Sequence, residues 1–457
     1  MKFILFLLFL VKIKGFKNFH FPGSLLPLKE LETKKNILVN LPPEDMEVVQ
    51  QINGLYGLIG PDVNMTNIEN LYHLLLGNGI IQCVFFDKGE LTFAKHYIRT
   101  EKFVYEETFG KVLQNNGVHL LFFLLNKLKI LPNIFGLANT ALVNIRGKHY
   151  ALYERDVPYE IMIDFSEKTI KTGNKKWVKG IEHFSAHPNI NIEENLIETI
   201  GYDVVKNTVN FHQLSTDLVL QKTIHVFTKY LPIVHDFIST RYNYIFLDAP
   251  LTIDISKIYN KAMPVSLSQD KPTFVRVINK ITGRVRTYET PESVYLFHYA
   301  QIQEDENRII IYAPMYDKID FSELDIQGRY RRMILDKYSG TITIERNEIL
   351  ENLDMDFPIC FGDKVVFRNM KDQICEGFVI CKDLEIVRKI YLKDRFVCGE
   401  PRVIYLKNIP YLTTFLINLH DRQQGSLMLI NLIDYKQIEI MLGVPITYGF
   451  HSFFTNK

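Results

Sequence analysis

Cysteine is scarce in this sequence. Its 457 residues hold five, Cys83, Cys360, Cys375, Cys381 and Cys398, and none forms a C-x-x-C pair. An odd count without paired spacing gives neither a disulfide framework nor a thiolate zinc site. Charge of one sign is equally lacking. Lys plus Arg is 53 against 52 acids, a net +1, which excludes a strongly basic nucleic-acid binder and an acidic disordered tail. No G-x-S-x-G or P-loop pattern is present, so no serine nucleophile or phosphate cradle is implied. No low-complexity tract, Pro/Gly linker or long charge run marks a domain boundary. What remains is ordinary soluble-protein usage, 47% apolar and 23% charged. Length alone would allow roughly three domains, a rule that large all-β folds break. The expectation is one domain over residues 23–457, long enough to enclose a cavity, after a leader at 1–22.

The leader reads as targeting. Met1-Lys2 precedes an apolar run from Phe3 to Val11, then Lys12-Ile13-Lys14. A positive start with a short apolar core fits a signal peptide and falls short of the about 20 residues a spanning helix needs. No A-x-A-like cleavage site follows, so a membrane-surface anchor or a buried first strand stays open. A secretory or membrane-associated location is the first expectation, a cytoplasmic one the alternative. Asn64-Met65-Thr66 is a lone glycosylation triplet.

Beyond the leader, short β-branched and aromatic runs alternate with turn residues. Cys83–Phe86 meets Leu91–Phe93 across Asp87-Lys88-Gly89-Glu90, and Ala141–Ile145 meets Tyr150–Tyr153 across Arg146-Gly147-Lys148. Phe274–Ile278 and Val285–Tyr288 flank Thr282-Gly283, and Met333–Leu335 and Thr341–Ile344 flank Tyr338-Ser339-Gly340. Each is a glycine-bearing hairpin signal. Further strands are expected at Ile245–Asp248, Arg308–Tyr312, Lys364–Arg368, Val403–Leu406 and Leu427–Leu432. The rhythm fits a sandwich, a barrel or a propeller, and no Trp-Asp repeat signature chooses among them. One stretch breaks it. From His119 to Leu131 the chain is nearly all apolar, with Lys127 and Lys129 late in the run and Pro132 ending it. An interfacial helix whose lysines reach head groups and a buried helix are both open readings.

Four of the thirteen histidines stand in distinctive surroundings: Ala186-His187-Pro188, Val234-His235-Asp236-Phe237, Phe297-His298-Tyr299 and Gly449-Phe450-His451-Ser452. No pair has the close spacing of a helical metal motif. If they meet, the fold must bring them from distant strands to one point. A propeller does so, because inner strands of successive blades, roughly 40–50 residues each, line one axis. Pattern alone favours hydrogen-bonded core histidines.

The surrounding residues resemble the carotenoid cleavage oxygenase family, which includes animal carotene oxygenases and the retinoid isomerase, from about Gly54 to Phe453. Gly54–Pro61 looks like its opening glycine-proline segment, Gly77–Ile81 its D-G-x-G-M turn, Tyr97–Glu101 its R-[FY]-[VI]-[RQ]-T-[DE] strand, and Ala138–Ala141 its A-N-T-A segment. Ser185-Ala186-His187-Pro188 is similar to T-A-H-P, followed by Gly201-Tyr202. Val234–Pro250 resembles H-D-F-x-x-T-x-N-Y-x-[IV]-F-x-x-x-P, Phe297–Glu304 resembles F-H-x-x-N-x-[YF]-E, and Pro445–Phe454 the terminal P-x-G-F-H-G segment. Gln301, Tyr312 and Ser452 depart from the family's Asn, Asp and Gly.

The resemblance implies an all-β fold, a seven-bladed β-propeller with a few helices and loops forming a dome over the metal-bearing face. It implies one Fe(II) per chain held by His187, His235, His298 and His451. Neutral imidazoles suit that ion, and six-coordination would leave two positions for O₂ or water. Three glutamates of the family hydrogen-bond the histidines from behind. Glu154 and Glu400 match the first and third, and Asp356, one methylene shorter, falls at the second. Asp356 is expected to reach its histidine only after backbone movement or through water. Tyr97, Tyr153 and Phe297 fall at aromatic tunnel positions, with core packing as the plain alternative for each. Leu120, Phe122, Phe123, Leu124, Lys127 and Lys129 fall where relatives touch the membrane, which favours the interfacial reading. The implied activity is O₂-dependent cleavage of a C=C bond in a carotenoid or apocarotenoid. Retinoid isomerisation or ester cleavage, stilbene-type substrates, or an inactive propeller that binds an apolar ligand are the alternatives.

Overall fold

Tight turns between β-branched strands set the first level of order. Lys88 and Gly89 (φ 52° and 92°), and Arg146 and Gly147 (φ 49° and 81°), place both central turn residues in the left-handed region. That backbone matches the twist of a two-residue hairpin, and it closes the hairpins Asn78–Asp87/Glu90–Tyr97 and Ala141–Ile145/Lys148–Leu152. The computed structural model describes residues 33–62, 77–109, 135–254, 265–321, 326–371, 374–421 and 423–457, with 75 and 125. The leader, the glycosylation triplet and the six candidate membrane-contact residues lie outside them. Among the described residues there are two α-helices, Pro43–Gln50 and Glu101–Phe109, and none long and apolar enough to cross a membrane.

Seven antiparallel sheets form the blades of a β-propeller. Blade 1 combines Thr33–Ile37, Glu90–Tyr97, Asn78–Asp87 and Gly54–Asp62 with the C-terminal strand His451–Asn456. Blade 2 runs from Ala141 to Lys175, blade 3 from Asn189 to Phe227, and blade 4 from Ile238 to Glu289. A separate hairpin, Leu251–Ile253 with Val265–Leu267, is inserted in blade 4. Blade 5 runs from Gln301 to Glu345, blade 6 from Asp354 to Tyr391, and blade 7 from Arg395 to Met441. The hairpins and single strands expected from sequence all fall within these sheets, with boundaries shifted by a few residues.

Middle strands such as Leu196–Asp203 and Arg308–Met315 are buried almost throughout, whereas the outer strand Glu385–Tyr391 is mostly exposed. The core therefore lies between blades. Phe211 of blade 3 stacks on Tyr244 of blade 4 at 4.7 Å between ring centroids. Ile245 and Val275 of blade 4 pack with Ile309, Ile311 and Met333 of blade 5. Four cysteines are buried and Cys360 is exposed, all unpaired.

The ring closes where His451–Asn456 pairs antiparallel with Gly54–Asp62. Closure needs close backbone approach. A Cβ at Gly60 would sit 2.4 Å from the Gly449 Cα, and one at Gly449 would sit 2.5 Å from the Leu58 side chain. Overpacking of this kind costs about 1–3 kcal/mol. Gly60→Ala is therefore expected to lower the thermal midpoint by a few degrees and to displace the turn that carries His451. Calorimetry checks it, and an unchanged midpoint would show that the turn has room to spare.

Candidate metal centre

Each of the four histidines stands at the head of a blade's innermost strand. His187 precedes Asn189–Asn191, His235 precedes Ile238–Ser239, His298 precedes Gln301–Glu304, and His451 opens the closing strand. Local contacts fix these heads. Pro188 disfavours helical backbone at His187, whose N–H donates to Ser185 Oγ at 2.9 Å, and the Ser185 N–H donates to Thr199 Oγ1 at 2.9 Å. Ahead of His451, the buried Gln82 amide clamps Thr447, accepting from its N–H at 2.8 Å and donating to its carbonyl at 2.9 Å. The Gly449 N–H reaches the Cys398 carbonyl and the Phe450 N–H reaches the Ile59 carbonyl. The last histidine is thereby laced to blades 1 and 7.

The four rings converge. His187 Nε2 lies 3.1 Å from His235 Nε2, which lies 3.3 Å from His298 Nε2. One ligand atom from each of the four lies within 4.8 Å of all the others, the one such group of three or more His, Cys, Asp or Glu among the described residues.

Carboxylates stand behind three of the rings. His235 Nδ1 is bonded by Glu154, His298 Nδ1 meets Asp356 Oδ1 at 2.8 Å, and His451 Nδ1 meets Glu400 Oε1 at 3.3 Å. Each Nδ1 then carries the proton, which leaves Nε2 as a bare lone pair aimed inward. Lone pairs a few ångströms apart repel unless a cation lies among them, so the donor set fits a metal ion with imidazole preference. Asp356 reaches His298 directly, although a shorter side chain was expected to need a water or a moved backbone. The strand does irregularise there: its register shifts between Asp356 and Ile359, and Phe357 adopts φ 55°.

Burial and neighbouring charges shift three of the rings in different directions. Burial, with the neighbouring rings, holds the His187 imidazole well below its ordinary value. Burial also lowers His451, against the opposing pull of Glu400. Burial lowers His298, but Asp356, together with Asp236 and Glu400, outweighs it and raises the ring above its ordinary value. Burial pushes the carboxyls of Asp356 and Glu400 up, but their histidines hold both below the carboxylate norm.

Some contributors carried no role in the sequence reading. Asp236 accepts from the Phe237 N–H at 2.7 Å and the Tyr299 N–H at 3.3 Å, so it ties the turn of His235 to that of His298. Burial raises it to about 6. The Phe357 ring lies 5.0 Å from that of His298 and 5.5 Å from that of His451, with the Arg368 guanidinium 5.0 Å from its centroid. Asp236 was visible only as a motif letter, and Phe357 only as a neighbour of the acid.

Of the aromatic candidates, Phe297 lies 5.7 Å from the His235 ring, amid Tyr295 and Tyr316. Tyr153 is half-buried beside Glu154 in sequence. Tyr97 stacks on Phe103 at 5.6 Å, in a small cluster with Ile80.

A propeller with a four-histidine, three-carboxylate centre at its axis is the class that fold and site define. A family model described as retinal pigment epithelial membrane protein matches residues 47–456. The chain is 28% identical over 470 residues to a carotenoid 9,10(9',10')-cleavage dioxygenase 1 of Pisum sativum, across 89% of this chain and 85% of that protein. Cobalt-substituted apocarotenoid oxygenase of Synechocystis superposes with a TM-score of 0.74 at 17% identity, covering 94% of this chain and 97% of that one. Pseudomonas brassicacearum lignostilbene dioxygenase gives 0.75 at 16% identity, covering 95% and 98%. The chain belongs to the retinal pigment epithelial membrane protein family, among the carotenoid cleavage dioxygenases and their kin.

Removing the charge behind His298 tests the carboxylate layer. Loss of such a partner typically costs about 10–100-fold in metal affinity. Asp356→Asn is expected to weaken metal retention by that amount in chelator competition, with the fold intact by circular dichroism. Unaltered retention would show that Asp356 does not tune the ring.

Proposed function

We propose that the chain is a non-haem Fe(II) oxygenase that uses O₂ to split a C=C bond of a carotenoid or apocarotenoid into two carbonyl products. The observation that carries this reading is the set of inward Nε2 lone pairs, three of them backed by carboxylates on Nδ1. Iron bound there would supply the redox-active centre for O₂ chemistry beside the alkene.

The protein's own part is to hold, orient and keep dry. Glu154, Asp356 and Glu400 set the tautomers and ring angles, and their negative charge offsets that of the ion. Phe297 and Phe357 present aromatic surface next to the histidines. A polyene suits such walls, because each buried CH₂-sized unit contributes about 0.8 kcal/mol without a polar contact. The name of the lignostilbene dioxygenase supports a wider substrate class, an apolar compound with a conjugated C=C bond.

The apolar run from His119 to Leu131 enters the proposal as peripheral membrane contact on sequence grounds alone. The protein would collect its substrate from a lipid surface.

Three measurements test the reading. Purified protein is expected to contain one iron, lost in His235→Ala; normal iron content in that variant would count against the site. Incubation with a carotenoid under ¹⁸O₂ is expected to yield shorter carbonyl products carrying the label. An unlabelled product of unchanged mass would instead assign isomerisation. Co-sedimentation with anionic liposomes should fall when Phe122 and Phe123 are replaced by serine, and equal sedimentation would remove the membrane claim.

A further inference from the structure

Three of the four histidines have an acid behind them, and the described contacts of His187 include none. Its backbone is held by the Ser185 hydroxyl, Pro188 and the short strand Asn189–Asn191. That strand is the inner edge of blade 3, paired at Glu198↔Asn189. Glu198 is 1% exposed, a carboxylate buried in the second strand of blade 3.

The partners of Glu198 are distinctive. Oε2 accepts from Asn189 Nδ2 at 3.0 Å, two residues beyond His187. The same oxygen accepts from the Ser239 hydroxyl, four residues beyond His235. Oε1 accepts from the Tyr244 hydroxyl at 2.7 Å and more distantly from Gln213 Nε2 at 3.4 Å. Lys280 Nζ lies 2.7 Å from Oε1 and 2.9 Å from Oε2, and it donates to Ser239 Oγ at 2.6 Å. Lys222 of blade 3 reaches back to the Lys280 carbonyl at 2.6 Å. One carboxylate thus joins the strand behind His187 to the strand behind His235, across the seam between blades 3 and 4.

Stability does not account for such a pair. A buried ion pair loses about as much in desolvation as it gains in attraction, and apolar residues of equal volume often do as well. What charged, multiply hydrogen-bonded groups add is a single geometry. The two rings these strands carry stand 3.1 Å apart at Nε2.

We propose that Glu198, locked by Lys280, is a positioning residue of the metal centre that sets the spacing of His187 and His235, where no acid among the described residues backs the His187 ring. The proposal rests on the reading of the four histidines as a metal site.

The test uses the full chain loaded with Co(II), whose visible absorption reports ligand geometry. Because removal of one charge strands the other, the key variant is the neutral double Glu198→Gln/Lys280→Met, compared with Lys280→Arg. Glu351→Gln is the control, since it breaks a pair with Arg331 of blade 5 (2.6 Å) that has no described contact with the histidine-bearing turns. At a temperature where all are folded by circular dichroism, the double variant is expected to bind Co(II) about 10–100-fold more weakly, as loss of an outer partner does elsewhere. Its visible spectrum should shift. Lys280→Arg should keep wild-type affinity and spectrum, and Glu351→Gln should lower only the thermal midpoint. A double variant with unaltered affinity and spectrum, whatever its midpoint, overturns the positioning role. A wild-type chain that takes up no Co(II) overturns the metal reading itself, and is told apart by that.

Discussion

Four imidazole nitrogens cannot be crowded within a few ångströms of one another unless their protons are kept on the far side and positive charge is welcome between them. In this protein the far side is governed by Glu154, Asp356 and Glu400, which hold Nδ1 of three rings and so turn Nε2 toward the axis. Everything else follows from keeping that arrangement in register. The histidines come from blades 3, 4, 5 and 1, and their acids from chain segments at blades 2, 6 and 7. Every blade of the ring therefore contributes a group, and a shift of one blade would unseat a ring or its acid.

Closure of the ring is part of the same constraint. His451 is both the last of the four converging histidines and the first residue of the strand that completes blade 1. The glycines at 60 and 449 let two backbones approach where any side chain would push them apart. Within blade 6, Phe357 holds a left-handed backbone that bulky residues avoid, at a cost of about 1–3 kcal/mol. Its ring is wedged between two histidines and the buried Arg368. Packing against the centre and the cation keeps it there.

Shared fold does not fix the substrate. Relatives of similar architecture bear names for carotenoid and lignostilbene cleavage, at identities that speak for the propeller and not for the compound. The centre sets the class of chemistry. The rings of Phe297 and Phe357 stand beside it, 5.7 Å from His235 and 5.0 Å from His298.

Much was legible in the linear sequence. Glycine-bearing turns marked the hairpins because only a few residues tolerate positive φ, and β-branched runs marked the strands. Residue types around His187, His235, His298 and His451 singled them out, and the order of motifs pointed to the propeller. Sequence could not supply the distances. That Asp356 spans the gap of a missing methylene depends on a register shift in its strand. That Asp236 and Glu198 each tie two histidine-bearing turns together depends on which blades become neighbours. Local conformation is written residue by residue, because it depends on backbone sterics and side-chain pattern. Convergence of groups far apart along the chain exists only after the seven blades have closed, because it depends on every inter-blade contact at once.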